Sequence, residues 1–208
     1  MKSSLKNMVV VLGLITFISA ACVGVVNMIT EEKIAEAKAR ATSEALEAVL
    51  PAFDRTESWT MEADGLQLTI NKAIAGEQTV GFAVESISKN GFGGVVRLMV
   101  GFDAEGRILN INVLEQTETP GLGTKMCDEG NPLLASFKDK MAADVKMSVR
   151  KDGGDVDALT AATISSRAYA EAVARAYEAF KVASGAQSEA QAVTGASQQT
   201  TKGGEDGK

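Results

Sequence analysis

Between Lys6 and Glu31 the chain carries no charged residue. The 22 residues from Met8 to Ile29 would, at about 1.5 Å of helical rise each, span roughly 33 Å, enough to cross the hydrocarbon core of a bilayer. A chain that begins this way is tied to a membrane, and the remainder of it has to work beside one. The expectation is an uncleaved single-pass anchor over 8–29, with a short 1–7 segment before it. The alternative is a signal peptide, because Ser19-Ala20-Ala21 resembles a small-residue cleavage site and Cys22 comes directly after it. Two features count against that alternative. The apolar run continues from Val23 to Ile29, and Ser19 stands where a lipoprotein signal requires an aliphatic residue. Charge does not orient the anchor, since Lys2 and Lys6 with the amino group on one flank match Lys33, Lys38 and Arg40 on the other.

Of the 208 residues, those outside the anchor and the small-residue tail make one domain of roughly 130 to 150 residues, a normal single-core size. Net charge is -6 with no basic tract, which argues against nucleic acid and polybasic lipid binding. The chain has 0 histidines. That removes Ser-His-Asp and Cys-His catalysis, His-ligated zinc, haem or non-haem iron, and a flavin bonded to imidazole. Two cysteines, Cys22 and Cys127, are too few for an iron–sulfur cluster, and no metal site is expected. If the protein handles electrons, an organic cofactor carries them.

The remaining pattern reads as α+β: an N-terminal transmembrane helix, then one domain of antiparallel sheet with flanking helices. A stalk helix is expected over 30–52, where Ile34, Ala41, Ala45 and Val49 recur at helical spacing and Pro51 ends the run. It should lie on its own domain. Gly65–Ile70, Val80–Ile87, Val95–Phe102 and Arg107–Leu114 read as strands, the last two forming a hairpin across Asp103–Gly106. In the fourth strand the inward face is ambiguous between Ile108 with Asn110 and Leu109 with Ile111 and Val113. Glu118-Thr-Pro-Gly-Leu-Gly123 is a turn, Val145–Val149 a further strand, and Lys151–Gly154 another turn. Next comes a helix in which Tyr169, Val173, Ala176, Tyr177 and Phe180 share a core face. The segment 184–208 lacks periodicity and is expected to be a disordered tail.

Asp157-Ala-Leu-Thr-Ala-Ala-Thr-Ile-Ser-Ser166 places the hydroxyls of Thr160, Thr163, Ser165 and Ser166 just before that helix. This is a helix N-terminus in composition, where free N–H groups and the helix dipole favour an anion such as phosphate. A threonine hydroxyl beside a phosphate can become esterified to it. Taken alone, Thr160 or Thr163 as an ordinary helix cap, Glu118 as a solvated loop charge and Gly91, Gly93 and Gly94 as a tight turn account for the same residues.

Together, Asn90-Gly-Phe-Gly-Gly94, Val100-Gly-Phe-Asp103, Glu118-Thr-Pro-Gly-Leu-Gly123 and Asp157-x-x-Thr-Ala-Ala-Thr163, in this order and spacing, resemble the FMN-binding domain family. Among its members the chain is most similar to the membrane-anchored subunit of ion-translocating ferredoxin:NAD oxidoreductases. The corresponding subunit of sodium-translocating NADH:quinone reductases is the nearest alternative. The resemblance covers the anchor and the chain through about residue 183, so 53–183 is expected to be the FMN-binding domain.

The resemblance implies FMN attached through its phosphate to Thr163 by a separate flavin transferase. It also implies electron transfer within a redox-driven pump, without independent turnover, beside other membrane subunits. The implied location is the cell inner membrane, single-pass in the bilayer, with 1–7 cytoplasmic and the C-terminal domain periplasmic. Further cofactor contacts are expected from Glu118, Thr119, Gly121, Leu122, Gly123, Thr160, Ala162, Gly91, Gly93 and Gly94. The sequence departs from the family pattern twice. Ala161 stands where relatives usually have glycine, which is strained if that residue takes positive φ, and Gln116 stands where they often have histidine. A non-redox anchored scaffold and a stand-alone flavin reductase are the competing classes, and the chain has no nicotinamide fingerprint to favour the latter.

Overall fold

A computed structural model describes residues 5–199, with side chains through residue 185. Helix α1 runs unbroken from Leu5 to Val49, so anchor and stalk are one element. Its apolar stretch is wholly exposed, as a segment meant for lipid should be. The chain divides into two compact units, residues 1–43 and 44–208, so only the last turn of α1 belongs to the domain. The stalk was expected to lie on its own domain. Within the domain, Ala45 and Val49 at the end of α1, with Leu50 beyond the helix, are buried.

The domain is a five-stranded antiparallel meander in the order β1-β2-β3-β4-β5, comprising Arg55–Ala63, Leu66–Ala75, Gln78–Ser88, Val96–Phe102 and Ile108–Gln116. Short turns fix its register. Asp64 and Gly65, both at positive φ, make the two-residue link between β1 and β2, and Gly76 at φ 62 opens the link between β2 and β3. Between β4 and β5, the Asp103 carboxylate accepts from the N–H groups of Glu105 and Arg107 at 3.0 and 2.7 Å. A register shift near Gly101–Phe102 leaves Leu109 without a ladder partner, so Ile108 and Ile111 are both buried on one side. That bulge resolves the ambiguous face of the strand.

Helix α2 (Pro132–Phe137) and helix α3 (Thr163–Gln199) complete the domain. Tyr169, Val173, Ala176 and Phe180 of α3 bury against Phe82, Leu98, Phe102 and Ile108. Phe102 and Phe180 stack at 4.8 Å between centroids. The opposite face of the sheet is narrower, with Ala73, Ala83 and Met99 beneath Ala45, Val49 and Leu50. There Gly101 admits the Val49 carbonyl, which any Cβ would strike, and the Asn110 amide donates to the Ala48 carbonyl at 2.9 Å.

Three expectations are corrected or extended. β1 was not foreseen. Val145–Val149 is not a strand, because its backbone turns on itself: Ser148 N–H donates to Lys146 C=O at 2.7 Å, and Val149 makes a single bridge to Val156. Helix α3 continues through Gln199, into the segment expected to be a disordered tail, where recurrent alanine favours helix. Residues 200–208 of that segment lie outside the described residues.

Candidate functional site

The start of α3 is set by a tight turn. Ala162 N–H donates to Leu159 C=O at 3.1 Å, with Ala161 at φ 59 in the third position. Positive φ at that position is the type II geometry that glycine satisfies without strain, so the strain foreseen for Ala161 is present. Ser166 braces the turn. Its hydroxyl donates to Ala162 C=O at 2.8 Å and accepts from Leu159 N–H at 2.9 Å.

The first helical bond runs from Ser166 N–H to Ala162 C=O at 3.0 Å. Ala162 has no side-chain oxygen with which to cap the helix, so the N–H groups of Thr163, Ile164 and Ser165 have no hydrogen-bond acceptor among the described residues. Asp157 does not cap it either. Its carboxylate pairs with Arg150, whose guanidinium is held above its ordinary pKa by that hydrogen bond and by the nearby charge of Asp157.

Glu118 is 5% exposed. One carboxyl oxygen accepts from the Ser165 hydroxyl at 2.6 Å and the other from Gly93 N–H at 3.3 Å. The Gln116 side chain accepts from Glu118 N–H at 2.8 Å, which gives the residue at the second departure from the family pattern a local task. The loop carrying Gly91–Gly94 is fixed from its other end as well. Glu171 on α3 accepts from the Ser88 hydroxyl and the Asn90 amide, both at 2.8 Å, and from Arg175. Burial raises the Glu171 pKa, but these hydrogen bonds and the Arg175 charge outweigh it and hold the carboxyl below its ordinary value.

These segments enclose a pocket of about 300 Å³ lined by Phe92, Glu118, Thr119, Leu122, Gly123, Ala161, Ala162, Thr163, Ile164 and Ser165. No lysine or arginine lines it. Of the residues singled out in the sequence, Glu118, Thr119, Leu122, Gly123, Ala162 and Thr163 meet here. Gly91, Gly93, Gly94, Gly121 and Thr160 are not on the lining.

Gly91, Gly93 and Gly123 make room for the protein's own atoms, whereas a Cβ on Gly121 would meet open space. A Cβ on Gly91 would strike the Glu118 carboxyl and one on Gly93 the Thr117 carbonyl, while a Cβ on Gly123 would lie 2.6 Å from that of Glu118. Sequence reasoning missed Phe92 and Ile164 as pocket residues, while Ser165, singled out there for its hydroxyl, is on the lining. For Phe92 a signal existed, an aromatic residue flanked by glycines in a polar loop.

The four hydroxyls of the Asp157–Ser166 motif are not equivalent. Ser165 and Ser166 are buried and committed to internal bonds, and Thr160 is exposed away from the pocket. Thr163 is half-buried on the lining, and its hydroxyl has no partner among the described residues.

Residues 91–178 match the FMN-binding domain, and residues 1–49 match the RnfG N-terminal region. The G subunit of the ion-translocating oxidoreductase complex of Shewanella amazonensis is 35% identical over 187 residues, covering 84% of this chain and 86% of that protein. Its counterpart in Shewanella loihica is 32% identical, covering 86% of this chain and 91% of that protein. The Pseudomonas aeruginosa protein of the same name is 31% identical, covering 86% and 89% respectively.

Proposed function

The chain belongs to the G-subunit family of ion-translocating oxidoreductase complexes, and we propose that it carries FMN esterified through its phosphate to Thr163. The observation that carries this reading is the unpartnered Thr163 hydroxyl on the pocket wall beside three N–H groups without acceptors. A phosphodiester keeps one negative charge. With no cationic side chain on the lining, the α3 N-terminus is what meets that charge, through its N–H groups and the helix dipole.

Phe92, Leu122 and Ile164 supply apolar surface for a planar ring, and they remain 68%, 40% and 46% exposed at the rim. A pocket near the small end of the range for bound cofactors leaves part of the ring open to a redox partner. The flavin, when bound, supplies reversible electron transfer; the protein anchors it and sets its surroundings. Thr119 has an exposed hydroxyl at the same rim, available to the polar part of the cofactor.

The reading extends to partners and place. The protein works beside other membrane subunits of a redox pump, is matured by a separate flavin transferase, and sits in the bilayer of the cell inner membrane with residues 53–183 as the periplasmic FMN-binding domain. Co-expression with a flavin transferase should give a band on a denaturing gel that fluoresces yellow-green under ultraviolet light. Thr163→Val should abolish that band, and its persistence would move the attachment elsewhere.

For topology, Cys127 is a native reporter, exposed on the domain. Partial burial of the sulfur and the neighbouring Asp128 push its thiol pKa up, so labelling belongs at mildly alkaline pH. A membrane-impermeant maleimide should modify Cys127 in spheroplasts of a Cys22→Ser strain. Protection until lysis would put the domain in the cytoplasm.

A further inference from the structure

We propose that Glu118 is a positioning residue, a clamp that joins the loop at 90–94 to the first turn of α3 and so fixes the rim of the pocket. Its carboxyl is buried yet meets only neutral donors, the Ser165 hydroxyl and the Gly93 amide, and no ion pair among the described residues includes it. Burying such a group with neutral partners is costly, so packing alone does not call for it, and an apolar side chain would hold two segments together at less expense.

The surroundings are cut to fit the clamp. Gly91 and Gly123 both lack the Cβ that would collide with Glu118. Gly93 is gripped on both sides, its N–H by Glu118 and its carbonyl by the Thr117 hydroxyl at 2.9 Å. What this secures is the pocket rim. Phe92 is set out in water on a loop tied at both ends, facing the same pocket as Leu122 from the 118–123 turn and Ile164 from α3. The ring that such a rim holds depends on the flavin reading of the pocket. The clamp itself does not.

The test uses full-length protein in detergent, co-expressed with a flavin transferase, as wild type, Ser165→Ala, Glu118→Ala and the double variant. The first readout is amide hydrogen exchange of residues 91–94, which needs no flavin. Loss of one hydrogen bond to a buried carboxyl should speed that exchange about tenfold in Ser165→Ala or Glu118→Ala. The double variant should exchange no faster than Glu118→Ala, since the two residues act through one clamp.

The second readout is iodide quenching of the tethered flavin, which should rise in both single variants. Phe92→Ala should raise quenching without changing exchange in the turn at 118–123. Unchanged exchange at 91–94 in Ser165→Ala, or strictly additive effects in the double variant, would overturn the clamp. If Glu118→Ala does not fold, Ser165→Ala alone decides the matter by the same readout. If the wild type carries no flavin, the flavin reading fails, and the exchange measurements still decide the clamp.

Discussion

At the scale of single residues, Ala161 shows how a departure in sequence becomes a physical quantity. Its φ of 59 is a conformation in which a Cβ crowds the backbone, at a cost of about 1 kcal/mol relative to glycine. Ala161→Gly should therefore raise the melting temperature of the detergent-solubilised protein by roughly 2–4 °C. A fall would mean that the added freedom of glycine in the unfolded chain outweighs the strain. The same turn explains why the motif has four hydroxyls but one candidate for attachment. The helix start needs Ser166 to brace the turn and Ser165 to meet Glu118, which leaves Thr163 free on the lining. Sequence alone could place all four near an anion. It could not divide the hydroxyls committed to internal bonds from the one left on the lining, because that division rests on burial and on partners 47 residues away along the chain.

At the scale of elements, strands with an apolar face were legible from alternation, and the core face of α3 was legible from its helical spacing. β1 was not, because Arg55-Thr-Glu-Ser-Trp-Thr-Met-Glu-Ala63 is an edge strand with little buried side chain and so carries no apolar stripe. Val145–Val149 failed for the opposite reason: its β-branched ends imitate a strand, while its backbone bonds stay within the loop. Glycine-rich turns were visible, but not what approaches them, and here it is the protein's own Thr117 and Glu118.

Glu171 links the end of β3 and the loop at Asn90 to α3, and its depressed pKa makes that link sensitive to acid. Because the folded-state pKa lies below the unfolded one, its contribution is fully present above about pH 4.3 and is lost as pH falls through the lower folded value. The melting-temperature gap between wild type and Glu171→Gln should stay constant near neutrality and close in that acid window. A gap that persists unchanged well below it would show that hydrogen-bond geometry, not charge, is what Glu171 supplies.

At the scale of the whole molecule, one helix belongs to two environments, and the division falls within it. Residues up to Ser43 form one unit and those from Glu44 the other, yet the backbone is helical straight through. The end of α1 is domain core by burial: Ala45, Val49 and Leu50 cover Ala73, Ala83 and Met99, and Gly101 is shaped to the Val49 carbonyl. Removing the anchor is thus a question of where to cut. A chain beginning at Glu44 should be soluble, fold, and accept flavin at Thr163 when co-expressed with a transferase, because it keeps both faces of the sheet covered.

A chain beginning at Phe53 loses the side chains that cover the second face. The transfer free energies of a buried valine and leucine, with the alanine, put that loss at roughly 3–6 kcal/mol, a large part of the 5–15 kcal/mol that holds a typical domain together. It should melt far below the longer fragment or fail to fold, and equal melting of the two fragments would show that the helix end is an attachment to the domain and not part of its core. If the longer fragment folds and takes flavin, the pocket is complete without the anchor, and the membrane helix serves to hold the cofactor near its redox partners.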